Sequence, residues 1–191
     1  MTRKYFSRMA LVLLLISCTG TKQFVHSNPE TAVAELTFDF TRQTGMSSNQ
    51  FAVWVEEASG QPVRTIYATR FTANGGWKRR PSSIPTWVKQ FDIAHKTEAE
   101  IDAVTGATPK TGTLRYLWDG TDRKGNTVLP GAYVFILEGT LRSENRVIYK
   151  APILLGKNAA SAQVSVEYFG DSLKERIMID NLAVWVLGEN E

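Results

Sequence analysis

Cysteine and histidine are nearly missing from this chain. Its 191 residues include one cysteine, Cys18, and two histidines, His26 and His95. One thiol cannot build a disulfide framework. Two histidines exclude a histidine-rich metal centre, and His26 lies in a polar N-terminal stretch, so a Ser-His-Asp arrangement would rest on His95 alone. Asp92 precedes His95 by three residues; on a helix the two share a face, and the expected outcome is a surface ion pair. Glu56-Glu57 and Glu98/Glu100 read as solvated loop or edge residues rather than a glycosidase pair. There is no alternation of strand and helix and no Gly-rich dinucleotide loop, which excludes a doubly wound sheet. The apolar run Met9–Ser17, "MALVLLLIS", is about half the ~20 residues needed to cross a bilayer.

Excess charge is also missing once its location is considered. The sequence pI is about 9.0, but three of the 22 Lys plus Arg (Arg3, Lys4 and Arg8) fall in the first eight positions, and the remainder equal the 19 Asp plus Glu. A body of balanced charge is poorly suited to a phosphate backbone, so no nucleic-acid partner is expected. The one basic cluster, "WKRRP" at Trp77–Pro81, reads as a solvated loop.

The N-terminus reads as a targeting segment: a basic start, then the apolar run, then Cys18. Leu15-Ile16-Ser17-Cys18 resembles the bacterial lipobox, in which the cysteine is lipidated and becomes the new N-terminus. The resemblance implies a signal peptide over residues 1–17 and lipidation at Cys18, with more than one acyl chain holding the protein to a membrane. Thr19 after Cys18 lacks an aspartate retention signal, which favours the outer membrane and the periplasmic side of the envelope. Residues 18–30 are polar, without periodicity, and read as a tether. Residues 31–191 are expected to form one domain.

Strand signals dominate that domain. "AELTFDF" (Ala34–Phe40) alternates with period two and puts Leu36, Phe38 and Phe40 on one face. Phe51–Phe71 reads as a hairpin turning at Ser59-Gly60, with Phe51, Val53 and Val55 facing one way. Thr113–Gly120 and Gly131–Leu141 are expected to form a second pair, and three further strand-like segments follow. Weak helical spacing occurs near Ser82–Ala99. The expected fold is all-β, an antiparallel immunoglobulin-like β-sandwich of roughly eight strands with a short helical insertion, and most of the five tryptophans should lie in its core. "YLWDGTDRKGNTVLPGAYVFILEG" (Tyr116–Gly139) resembles the immunoglobulin-like repeat of flagellar-hook capping proteins. Asp119 and Asp122 there are expected to cap turns rather than bind calcium, because the spacing misses the EF-hand loop.

Asp102–Thr108, "DAVTGAT", breaks the pattern. It is small and polar, neither a good strand nor a good helix, and Pro109 with Lys110-Thr111-Gly112 after it disfavours regular structure. It resembles the recognition motif of bacterial periplasmic flavin transferases, D-x-x-[S/T]-G-A-[T/S], at Asp102, Thr105, Gly106, Ala107 and Thr108. The resemblance implies that Thr108 is esterified through its hydroxyl to the phosphate of FMN. Two nearly bare residues, Gly106 and Ala107, would let the backbone enter the transferase. Much of Ala34–Trp185 also resembles an uncharacterised bacterial periplasmic family found in gene neighbourhoods with flavin transferases and membrane proteins of the PepSY type.

These resemblances imply an exported lipoprotein that carries FMN as an electron relay and turns over no substrate of its own. Its partners would be a periplasmic flavin transferase and membrane electron-transfer proteins. Trp77, Trp87, Arg79 and Arg80 would stack on or steady the flavin. The alternative is a non-redox immunoglobulin-like binding or assembly module, in which DAVTGAT is a connector.

Overall fold

Apolar residues at every second position bury one face of a strand, and two such faces must meet. In a computed structural model they do so as two sheets; the structure describes residues 23–25, 31–45, 47–143, 145–156, 159–170 and 177–187. The strands are β1 (Gln23–Val25), β2 (Ala34–Phe40), β3 (Gln50–Glu57), β4 (Pro62–Thr69), β5 (Thr105–Gly106), β6 (Gly112–Trp118), β7 (Gly131–Arg142), β8 (Asn145–Leu155), β9 (Ala160–Ser161), β10 (Ser165–Phe169) and β11 (Ile179–Val186). One sheet has the order β1-β6-β2-β11-β9 and the other β10-β8-β7-β3-β4-β5. The fold is the expected all-β sandwich: eight strands have five residues or more, and β1, β5 and β9 are shorter.

The alternation in β2 is realised, with Leu36, Phe38 and Phe40 buried and the residues between them half-buried. These side chains meet Phe51, Val53 and Val55 of β3 and Tyr116 of β6 between the sheets. β3 is covered on both faces, so its seven residues Gln50–Glu56 are all buried and its sequence is almost continuously apolar. Its second face, with Ala52 and Trp54, supports a helical insertion that joins β4 to β5. The insertion contains a wide helical turn (Thr72–Gly76), α1 (Trp77–Arg79), α2 (Pro85–Phe91), a 3-10 turn (Ile93–His95) and α3 (Glu98–Asp102). It begins about ten residues before the helical spacing near Ser82.

α2 is fixed by one buried side chain and one buried carboxylate. Trp87 has no exposed surface and packs on the outer face of the β3–β4 half of the sheet; burial of a side chain this large stabilises by about 2–3 kcal/mol. Pro85 starts the helix, and Glu138 of β7 accepts hydrogen bonds from the N–H groups of Thr86 (3.2 Å) and Trp87 (2.9 Å). These are donors that a helix cannot satisfy internally. Burial pushes the Glu138 carboxyl up from its ordinary range, opposed by those amides and by Arg146, whose guanidinium is 3.3 Å away.

Three expectations need correction. β6 and β7 are not paired. β6 lies between β1 and β2 in one sheet and β7 between β8 and β3 in the other, and the long Asp119–Pro130 connection crosses the sandwich. Trp118 and Tyr133 therefore meet face to edge across the core, 5.3 Å between ring centroids. The sheets are also not wholly antiparallel, since β1–β6 and β4–β5 are parallel pairs. Finally, Gln23–Val25 of the expected tether form β1, paired in register with Leu114–Tyr116. Residues 1–17 and Cys18 lie outside the described residues.

Candidate functional site

The DAVTGAT stretch leaves the helical insertion and enters the sandwich, and half of it is regular. α3 begins with a capping box: the Thr97 hydroxyl accepts from the Glu100 N–H at 3.3 Å, and Glu100 accepts from the Thr97 N–H at 2.9 Å. That backbone bond, then Lys96 and the Thr97 hydroxyl, hold the Glu100 carboxyl down at about 2. Asp102 is the last residue of α3 and is exposed. The chain then straightens. The Ala68 N–H donates to the Val104 carbonyl at 2.8 Å, and Thr105 and Gly106 run parallel to Ala68 and Thr69. The expected irregular loop is thus a helix end followed by a two-residue edge strand, because β4 offers unpaired backbone groups that outweigh weak local propensity.

Thr105 is buried and its hydroxyl has no hydrogen-bond partner. Gly106 lies against the ring of Tyr67: a Cβ here would be 2.6 Å from Tyr67 Cε2 and 3.0 Å from its hydroxyl oxygen. The ring cannot easily give way. It packs on Phe51 and Tyr116, with centroids 5.4 and 5.2 Å away, and its hydroxyl donates to the Ala107 carbonyl at 2.6 Å. Burial pushes the Tyr67 phenol up to about 12, with Arg70 pulling weakly the other way. Burial, then Tyr67, raises Tyr116 well above its ordinary value. Beyond this clamp the side chain of Ala107 is exposed and Thr108 is half-buried, before Pro109 returns to the interior. Lys110 and Arg42 line a shallow hollow, where the Arg42 N–H donates to the Thr111 hydroxyl at 3.0 Å.

The other sequence candidates fall elsewhere. Arg79 and Arg80 lie over the ring of Phe71, at 5.6 and 5.0 Å from its centroid. Trp77 is half-buried with Lys78 over its ring. Trp87 is core, as are Trp54 and Trp118, and its indole N–H donates to Thr65. His95 and Asp92 form the expected exposed pair at 2.8 Å. Asp119 and Asp122 cap turns: Asp119 accepts from the Thr121 N–H and hydroxyl, and Asp122 from the N–H groups of Lys124 and Asn126. Among the described residues no cluster of His, Cys, Asp and Glu could hold a metal ion, and no helix is long and apolar enough to cross a membrane. Sequence reading missed Tyr67, whose contact with the motif spans 40 positions and leaves no local signal.

Fold and loop together define a β-sandwich that presents a short threonine-containing surface stretch beside the open edge of one sheet. The chain belongs to the family described as Predicted periplasmic protein (DUF2271), which matches residues 32–170. That span contains β2 to β10 and the whole motif. No curated protein and no solved structure matches the chain.

Proposed function

We propose that this protein is an extracytoplasmic electron carrier holding FMN as a phosphoester on Thr108, anchored to the membrane through Cys18. The observation that carries the reading is the division of labour within the motif. Thr105 and Gly106 are locked to β4 and Tyr67, while Ala107 is exposed and Thr108 half-buried at the surface. The residues present fit a phosphodiester, because Lys110, two positions after the acceptor, and Arg42, bonded through its N–H to Thr111, line one hollow and neither takes part in an ion pair among the described residues. Loading forms the bond from Thr108 Oγ1 to phosphorus and breaks the phosphoanhydride of FAD; AMP leaves, and the hydroxyl proton passes to the transferase. FMN supplies one- and two-electron chemistry when bound, and the chain contributes attachment, orientation and charge compensation. The partners of this reading are a periplasmic flavin transferase, which supplies the cofactor, and membrane electron-transfer proteins such as those of the PepSY type.

A second reading is favoured by the same clamp. Gly106 and Thr105 have packing roles that need no cofactor, as a connector in a non-redox binding or assembly module would. Co-production of the mature chain with a periplasmic flavin transferase separates the two. The first reading expects an FMN-sized mass increase mapping to Thr108, retained in Thr108→Ser and lost in Thr108→Ala. An unmodified chain, with a known transferase target labelled in the same cells, would leave the second reading standing.

A further inference from the structure

Along its outer edge β4 has, among the described residues, a strand neighbour only at Ala68 and Thr69. Two backbone bonds close the ends of the open segment: the Arg123 N–H donates to the Val63 carbonyl at 3.0 Å, and the Ala68 N–H to the Val104 carbonyl at 2.8 Å. Between them lies a cavity of about 760 Å³, lined by β4, α2, the 103–104 backbone, Leu117 and the Asp119–Gly125 turn. That volume is within the range of small-molecule sites.

The wall chemistry is two-sided. The deep side is aromatic and aliphatic, with Trp54, Ile66, Trp87, Phe91, Val104 and Leu117. Trp87 and Phe91 are stacked, 5.0 Å apart and inclined by 12°. Both indole N–H groups are already used: that of Trp87 by Thr65 at 3.1 Å and that of Trp54 by Glu56 at 2.7 Å. Neither buried indole therefore has a donor to spare, and it is the half-buried Phe91 that offers carbon surface to an occupant. The rim is cationic. Arg64 is 3.5 Å from Asp119 and Lys96 is 3.1 Å from Glu100, so both acids on the lining are already paired. Arg123 and Lys124 are exposed and take part in no ion pair among the described residues. Asp122 holds the turn that carries them, and the Trp118 indole N–H ties its start to the Thr121 carbonyl at 2.9 Å. A preorganised turn that projects two exposed cations, Lys124 with Asp122 near it, over an apolar hollow is a recognition arrangement, because ordering costs are met before binding.

We propose that this cavity binds a planar aromatic ring bearing an anionic group, with the ring on the Phe91 side and the anion between Arg123 and Lys124. Two sources fit: a free aromatic anion, which engages both parts of the site, or the ring of a flavin attached at Thr108 in the same chain, whose phosphate stays at its ester and leaves Arg123 and Lys124 unused. The site does not depend on Thr108 being modified. Ala103 and Val104 of the motif form one of its walls, so an occupant lies beside the stretch that carries the proposed acceptor.

The test uses full-length mature Thr108→Ala protein, which has no attached flavin, titrated by calorimetry with FMN and with riboflavin, its uncharged counterpart. The proposal expects saturable FMN binding about tenfold or more tighter than riboflavin. It also expects that preference to vanish in Arg123→Ser/Lys124→Ser, whose changes are confined to an exposed turn, and both ligands to be lost in Gln90→Trp, which fills the cavity from α2. Matching thermal midpoints establish that each variant is folded. No binding of either ligand, equal binding of both, or FMN binding unchanged by Gln90→Trp overturns it. Repeating the titration on flavin-loaded native protein identifies the source: free FMN is excluded if the attached ring fills the cavity and binds as before if the site serves a free ligand.

Discussion

The phenol of Tyr67 donates to the carbonyl oxygen of Ala107 at 2.6 Å, joining an interior ring to the backbone immediately before Thr108. The bond lies between a buried strand residue and a surface stretch 40 positions later, and Gly106 is flattened against the same ring. What happens on the exposed side of the motif is therefore decided by a side chain between the sheets.

Gly106→Ala is expected to destabilise the fold by about 1–3 kcal/mol, the usual cost of inserting a methyl group where nothing can yield, and to displace Ala107 and Thr108. Tyr67→Phe keeps the ring and loses only the bond, so its cost is expected to be about 1 kcal/mol or less. Urea midpoints of the two variants check the order. The phenol also has a pH signature. Its folded value of about 12 lies above the ordinary 10.0, so the stability it contributes is complete below pH 10 and is lost as pH rises toward 12. Tyr67→Phe should remove part of the alkaline loss of stability, and Tyr116 should account for much of what remains.

The capping box of α3 gives a prediction of opposite sign. Glu100 is held at about 2, below its ordinary 4.5, so its contribution is present above pH 4.5 and is lost as pH falls toward 2. The effect is local, because the side chain is on the surface. The reporters are the N–H groups of Ile101, Ala103 and Val104, bonded to the carbonyls of Thr97, Ala99 and Ile101 at 3.1, 3.0 and 3.2 Å. Their hydrogen-exchange protection should fall on acidification in the native chain and be low and flat in Glu100→Gln. Thr97→Ala removes the other half of the box and should cost about 1 kcal/mol of helix stability. Loss of α3 would also free Asp102, the first residue of the motif, from its fixed position.

Local pattern was legible in the sequence and long-range placement was not. Alternation over Ala34–Phe40 identifies β2 and its buried face, and Ser59-Gly60 locates the β3–β4 turn, because both signals are carried by neighbours in the chain. Thr113–Gly120 and Gly131–Leu141 were equally plain as strands, yet period two does not say which sheet a strand joins. The Trp118–Tyr133 contact that settles it crosses the core. The motif was readable as seven residues, but the edge of β4 that turns Thr105-Gly106 into a strand is set by tertiary structure. Arg123 and Lys124 read as turn residues, and only folding places them on the rim of a cavity with Trp87.

Glu138 provides the last prediction, since it joins the helical insertion to the sheet. Its carboxylate is completely buried, caps the first turn of α2 through Thr86 and Trp87, and lies 3.3 Å from Arg146. Glu138→Ala removes the cap and leaves Arg146 without its partner, so it is expected to cost about 3–5 kcal/mol. α2 is a wall of the cavity, and its detachment would also open the space beside the motif. Glu138→Gln keeps the shape and one acceptor and isolates the charge. Because burial raises the folded value above the ordinary 4.5, the folded chain holds this proton more tightly than the unfolded chain does. The contribution of Glu138 to stability is therefore greatest below pH 4.5 and declines as pH rises through the folded value. Urea midpoints between pH 4.5 and 8 should show this decline in the native protein and a flatter profile in Glu138→Gln. Parallel profiles would mean that the amides and Arg146 offset the burial completely, and that the carboxylate is anchored by its partners at no net cost from pH.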